Sequence, residues 1–220
     1  FPYTTLFRSR LAAAHPNIEL GPLAAGSHAG QSLAEVFPHL GRIDAPVLTR
    51  AEETDWRGCD AVFSGLPHGA AQDIIKALPS NLRVIDMSAD FRLRDPAVYA
   101  KWYGRAHEAQ DLLSDAVYGL TEFYAQEIAE ARLVACPGCY PTAVLLALLP
   151  LVRDRLIEAD DIVIDAKSGI SGAGRALKQN TLFAEAGEGL SPYAIGAHRH
   201  GPEIDQEISR AAGRDVVTSF

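Results

Sequence analysis

No apolar run in the chain approaches the roughly 18–20 residues needed to cross a bilayer. The longest, Ala143 to Val152, contains Pro150 and reads as a buried helix. No secretory signal is recognisable at the N-terminus. Basic runs are missing too: 20 Lys and Arg stand against 28 Asp and Glu, a net charge of −8. An acidic chain without a basic run is a poor match for a phosphate backbone, so nucleic acid is not an expected partner. Single arginines can still hold a small anion. Cysteine is scarce: three residues, an odd number with no disulfide-framework spacing, suit a reducing cytosol. Internal repeats and low-complexity linkers are absent. What remains is ordinary globular material, 48% hydrophobic and 22% charged over 220 residues, enough for one large domain or two small ones.

Short β-rich runs alternate with helical ones. Asn17–Leu20, Ala61–Ser64, Arg83–Asp86 and Arg132–Ala135 read as strands. Ala70–Leu78 and Pro141–Leu151 read as helices. Ile162–Asp165 is a continuous apolar strand, the pattern of one buried on both faces. Strands separated by helices imply a parallel sheet in an α/β fold. A helix-like run begins near Arg10 and reaches His15-Pro16, and another runs from Pro202 toward Ala212. Asp215–Phe220 reads as a strand that is cut off, which suggests a fragment.

The chemistry concentrates at Cys136-Pro137-Gly138-Cys139, between a strand-like and a helix-like run. A thiol at a helix start faces unpaired N–H groups and the positive end of the helix dipole, and both favour the thiolate. Three readings compete. A redox pair has the right cysteine spacing but lacks the small redox domain. Zinc would need His198 and His200, whose spacing is unusual for a zinc site. A single nucleophile, Cys139, with Cys136 as a small buried neighbour, fits the turn best. Cys59 precedes a buried strand and reads as a core cysteine.

Seven histidines are available as a base. His15, His28, His39 and His107 sit in polar surroundings, where a solvated role is the default. His68, in Leu66-Pro67-His68-Gly69, follows a strand end, where ligands of such sheets bind. His198-Arg199-His200 beside Gly201-Pro202 suits acid/base work, with Arg199 meeting an anion. Lys167 to Arg175 holds three glycines and two serines; it reads equally as an anion-binding backbone loop or as a connector.

Val134 to Pro150 closely resembles the active-site signature of the N-acetyl-γ-glutamyl-phosphate reductase family, relatives of aspartate-semialdehyde dehydrogenase. Leu66–Gly69, Val84–Arg92, Lys167–Arg175 and His198–Ile204 agree with it in order and interval. The likeness covers about residues 10–220. It implies an incomplete Rossmann-type parallel-sheet domain plus part of an α+β catalytic and dimerisation domain. The division would fall at 1–138, cofactor binding, and 139–220, catalytic, with the helix after Cys139 able to pack on the first part.

The resemblance also implies an activity in the cytoplasm. NADPH reduces N-acetyl-L-glutamyl 5-phosphate to the semialdehyde and phosphate through a Cys139 thioester, for arginine synthesis. The partners are small molecules, with a homo-oligomer at full length and no metal. His198 matches the family's catalytic histidine. Tyr193 and Glu203 match positions that orient it and the substrate. Arg92, Arg175 and Arg199 are candidates for the substrate's carboxylate and phosphate. Leu66, Pro67 and His68, with Ser171, Gly172, Ala173 and Gly174, match cofactor-binding positions. The family often has asparagine at position 136, where a cysteine would permit a disulfide with Cys139. Phe1–Ser9 contains no glycine and does not resemble the family's strand and Gly-rich cradle, which points to a truncated or joined N-terminus. Alternatives are a reductase of aminoadipyl or aspartyl phosphate, or an inactive fragment.

Overall fold

The computed structural model describes residues 9–174 and 177–220. Its sheet has four strands: β1 (Ala61–Ser64), β2 (Arg83–Asp86), β3 (Ala116–Tyr118) and β4 (Leu133–Ala135). Their spatial order is β1-β2-β4-β3, and every pair is parallel. Register is fixed by Val62 opposite Val84 and by Leu133 opposite both Val84 and Ala116. Parallel neighbours need crossover connections, which helices supply. After a helical stretch α1 over residues 9–13 and a short α2 (Leu33–Val36), α3 (Ala71–Ala77) joins β1 to β2. Helix α4 (Pro96–Tyr103) lies between β2 and β3, and α5 (Thr121–Glu130) joins β3 to β4. The chain continues through α6 (Cys139–Arg153), α7 (Phe183–Ala186) and α8 (Gly201–Ala212). The α/β expectation holds.

Leu33 of α2 packs in a small apolar cluster with Phe37 and Leu40, and two larger clusters hold the sheet and its helices. Ile75 of α3 packs with Val84, Leu133, Ala135 and Phe91 against one part of the sheet. Leu145 and Leu149 of α6 meet Ile204 and Ile208 of α8, together with Tyr118 and Tyr124. In both helices the apolar pair is four residues apart, one turn on the same face. The second cluster draws on residues from both sides of position 138. It therefore seats α6 and α8 beside the carboxyl ends of the strands.

Several expected elements differ. Asn17–Leu20 is a turn and coil, closed locally by Ile18 N–H donating to His15 O. A strand exists by pairing, and none lies alongside it among the described residues. Ile162–Asp165 is no doubly buried strand: Ile162 and Ile164 pack on the core, while Val163 is 76% exposed. Its ladder is one parallel bridge, Val163 to Ser219, and Asp215–Phe220 is reduced to the same bridge. Helix α6 runs through Pro150, which its last turn tolerates. Asp154 N–H then closes on Pro150 O. Helices α4 and α5 and strand β3 were not foreseen, although α4 carries plain signals. Asp95 caps the Ala97 N–H at 2.7 Å, Pro96 sits at the first helical position, and Gly104 ends the helix in the left-handed region.

Candidate active site

Strand β4 delivers the chain to the site. Cys136 N–H donates to Asp86 O at 2.7 Å, and Cys136 O accepts from Arg92 Nε at 2.8 Å, so the backbone is pinned on both sides. Gly138 then takes an extended conformation as the N-cap of α6 and supplies no side-chain cap. Cys139 is the first residue of that helix and is exposed. The first-turn N–H groups lack intrahelical acceptors, so the thiol stands at an open, positive helix end. None of the three cysteines is in a disulfide; Cys59 is only half-buried.

Glu203 ties the cysteine turn to α8. Its carboxylate, 1% exposed, accepts from Gly138 N–H at 2.8 Å and Tyr118 Oη at 2.7 Å. Arg92 Nη1 faces it at 3.4 Å. Burial pushes the Glu203 carboxyl above its ordinary range, and the Arg92 charge, the Gly138 N–H and the Tyr118 hydroxyl oppose that push. Burial dominates because a buried charge loses its water.

The two histidines of the cluster occupy different places. His200 lies directly on the turn: a Cβ placed on Gly138 would come within 2.5 Å of His200 Nε2. Only glycine leaves room for the ring. Nδ1 of His200 is buried and has no hydrogen-bond partner among the described residues. Burial, then the Arg92 and His198 charges, pushes His200 down to about 3, so it is a neutral imidazole. His198 stands one ring further out, 4.7 Å from His200 and 5.4 Å from Tyr140. Its Nδ1 accepts the His200 N–H at 3.1 Å, which assigns the proton of neutral His198 to Nε2. Burial and Arg199 lower its pKa. Tyr193 donates to Tyr140 Oη at 2.8 Å and lies 5.6 Å from the His198 ring. Burial, Tyr140 and the nearby Cys139 push its hydroxyl up to about 12, so it stays protonated and donates a hydrogen bond at neutral pH.

The expected arginines separate. Arg92 is committed to the scaffold, with Nε on Cys136 O, Nη2 on Met87 O and Nη1 toward Glu203. With its side chain only 10% exposed, it supports the turn rather than presenting an open fork to a substrate. Arg199 is exposed and donates to His68 Nε2 at 3.2 Å. Arg175 lies outside the described residues.

The turn after β1 is built like the cysteine turn. Gly69, at φ +84°, donates its N–H to both oxygens of buried Asp90 at 2.7 and 2.8 Å. Asp90 also accepts from Tyr99 Oη at 2.6 Å. His107 Nε2 meets Asp90 O at 2.8 Å, so that histidine is a buried structural group rather than a solvated one. Leu66 packs into the core while Pro67 and His68 are exposed. Strands β1, β2 and β4 end together at this edge, and the missing side chain of buried Gly69 leaves room for the Arg105 guanidinium. The Ser171–Gly174 loop is a different case. Gly172 and Gly174 donate their N–H groups to Gly169 O and Ser171 O, so these two do not converge on an anion. The loop is largely exposed, a 3₁₀ turn over Ile170–Ala173.

The sequence reading missed Tyr118, Tyr140, Asp90 and Tyr99. Asp90 had a signal, standing beside Arg92 in an already singled-out stretch. Nothing local marked Tyr118, whose partner is 85 residues away. Among the described residues no group of three His, Cys, Asp or Glu is placed to hold a metal ion, and no helix is long and apolar enough to cross a membrane.

Two family models match the chain. Semialdehyde dehydrogenase, NAD binding domain, covers residues 5–131, and semialdehyde dehydrogenase, dimerisation domain, covers residues 139–220. The first takes in part of the Phe1–Ser9 stretch that the motifs left unmatched. Curated relatives share the name N-acetyl-gamma-glutamyl-phosphate reductase. That of Rhodospirillum rubrum is 54% identical over 99% of this chain and 63% of its own length. That of Paracoccus denitrificans is 51% identical over 99% of this chain and 64% of its own. A protein of Arabidopsis thaliana, named as a probable chloroplastic form, is 49% identical over 99% of this chain and 54% of its own. The chain thus spans about 63% of the length of the first of these relatives.

Proposed function

From the premise that the chain belongs to the semialdehyde dehydrogenase family, we propose that it carries the nucleophile of an N-acetyl-L-glutamyl 5-phosphate reductase. The enzyme uses NADPH, serves arginine synthesis in the cytoplasm and works as a homo-oligomer. We divide it at 138/139 into cofactor-binding and catalytic parts. The observation that carries the reading is the exposed Cys139 thiol at the open start of α6, on a turn whose Gly138 N–H is held by Glu203.

Cys139 thiolate attacks the acyl carbon, a C–S bond forms, the C–O bond to phosphate breaks, and phosphate leaves. The N–H groups at the start of α6 face the oxygen that gains charge. Leu66, Pro67 and His68 line the cofactor's place, with the Ser171–Gly174 loop approaching it. A nicotinamide held there would supply the hydride equivalent that reduces the thioester. His198, with its proton on Nε2, donates a hydrogen bond to the oxyanion, which re-forms the carbonyl as the C–S bond breaks, releasing the aldehyde and regenerating the Cys139 thiolate. Tyr193 orients His198 and the substrate. Glu203 and Arg92 hold the turn in register.

A second reading gives the role of His198 to His200. It is favoured by the contact of its ring with Gly138 and by its buried, unpartnered Nδ1. The test is phosphate-dependent NADP⁺ reduction with N-acetylglutamate semialdehyde, on the full-length protein. Cys139→Ser should lower kcat about a thousandfold or more. Activity that survives this change overturns the mechanism. His198→Asn and His200→Asn separate the two histidines, the true one losing kcat and the alkaline or acid limb of its pH profile.

A further inference from the structure

We infer that the segment 218–220 positions His198: Phe220 closes an aromatic enclosure around the imidazole and so fixes the direction of its Nε2. The inference deepens the reductase reading and rests on it for its kinetic part. Four rings meet His198 edge-to-face. His200 lies 4.7 Å away, Phe220 5.1 Å, Tyr140 5.4 Å and Tyr193 5.6 Å, at interplanar angles between 64° and 87°. Phe220 also lies 5.3 Å from Tyr140, in the first turn of α6. Aromatic pairs prefer this arrangement, because the positive edge of one ring meets the negative face of the other.

Phe220 comes to the cluster on a segment tied on three sides. Thr218 gives its N–H and its hydroxyl to Asp205 Oδ1 of α8, at 2.9 and 2.7 Å. Ser219 N–H donates to Ile162 O at 2.9 Å, and Ser219 O accepts Ile164 N–H at 2.8 Å. Phe220 O accepts Gly196 N–H at 2.8 Å, two residues before His198. The segment thus joins α8, the 162–164 run and the loop that carries the histidine. One hydrogen bond at Nδ1, from His200 N–H, leaves the imidazole able to tilt about that contact. The edges of Phe220 and Tyr140 remove this freedom before a substrate arrives. His198 and Phe220 are both half-buried, so one side of the imidazole stays open to a reactant. The polar groups facing the ring are Arg199, His200, Tyr140 and Tyr193, with Cys139 beside Tyr193. None of these is a carboxylate, so nothing among them offsets the burial and the Arg199 charge that disfavour imidazolium.

NMR titration of the histidines in the full-length protein tests the enclosure without turnover. In Phe220→Ala the His198 pKa should rise toward the ordinary value of about 6.5, as water reaches the ring, and Phe220→Tyr should leave it as in the wild type. Phe220→Leu carries the same readout if the alanine variant does not fold. The kinetic arm is a double-mutant cycle on kcat for semialdehyde oxidation. Phe220→Leu should lower kcat about tenfold with KM little changed, Phe220→Tyr should restore it, and Phe220→Leu should cost nothing further in His198→Asn. An unchanged His198 titration in a folded Phe220→Ala or Phe220→Leu protein overturns the enclosure. A shifted titration with additive kinetic losses keeps the enclosure and overturns positioning through His198. A shifted titration in a full-length protein without reductase activity keeps the enclosure and sinks the reductase reading.

Discussion

Two turns of this molecule solve the same problem with the same parts. After β1, Gly69 gives its N–H to Asp90, which also takes the Tyr99 hydroxyl. After β4, Gly138 gives its N–H to Glu203, which also takes the Tyr118 hydroxyl. In each case a glycine lets the backbone come close, and a buried carboxylate with a tyrosine fixes where it stops. The difference lies in reach. Asp90 is 21 residues from its glycine, within the same βαβ unit, whereas Glu203 is 65 residues from its own, on α8. The first clasp makes a local edge rigid. The second couples the Cys139 turn to a distant helix and adds a third partner, Arg92, which also holds the Cys136 carbonyl. The Cys139 turn is therefore stable only when α8 is docked.

Breaking the longer clasp should have the largest effect. Glu203→Ala leaves the Arg92 charge, the Gly138 N–H and the Tyr118 hydroxyl unmatched. A loss of about 3–5 kcal/mol is expected in denaturant unfolding, with loss of activity. Glu203→Gln keeps acceptors for both neutral donors and should recover most of that stability. The shorter clasp should cost less: Asp90→Ala strands two neutral donors, about 1–3 kcal/mol each. Its kinetic effect should appear in the cofactor KM, whereas Glu203 variants act on kcat.

The glycines sharpen the contrast. Gly138→Ala would drive a methyl into the His200 ring and should lower kcat on the order of a hundredfold through misplaced groups. Gly69→Ala would meet the Arg105 guanidinium, the far end of a half-exposed side chain that can move. The remaining cost is the positive φ, about 1–2 kcal/mol.

A further effect is on pH dependence. His200 is held near 3 when folded and returns to about 6.5 when unfolded. The unfolded state thus binds the extra proton. Stability is full above about 6.5 and is lost as pH falls through the window toward 3. His200→Gln should flatten the acid side of a stability–pH curve relative to the wild type. Asp86 and Glu203 act in the opposite sense, since burial raises both. Their contribution is full below the ordinary carboxylate range and fades as pH rises above it.

The parallel sheet was legible because Ala61–Ser64 and Arg83–Asp86 are short apolar runs with turn residues behind them. So was the position of Cys139, since a Pro-Gly pair before an apolar run marks a helix start. Ile162–Asp165 misled because an apolar run reports only what can be buried, and its single bridge leaves Val163 outward. Arg92 misled in another way. A cation in a motif looks like a ligand group, yet here its donors are spent on Cys136 O and Met87 O. The order of His198 and His200 was also hidden from spacing, because which ring touches Gly138 depends on how α8 docks.

The central claim is that Cys139 becomes acylated while held on the Glu203 clasp. Full-length protein mixed with N-acetylglutamate semialdehyde and NADP⁺, without phosphate, should give a stoichiometric burst of NADPH. Intact mass and peptide mapping should then place one N-acetylglutamyl group on Cys139, discharged by added phosphate, with a smaller burst in Glu203→Gln. A burst of equal size in Cys139→Ser, or an acyl group on any other residue, would contradict the account.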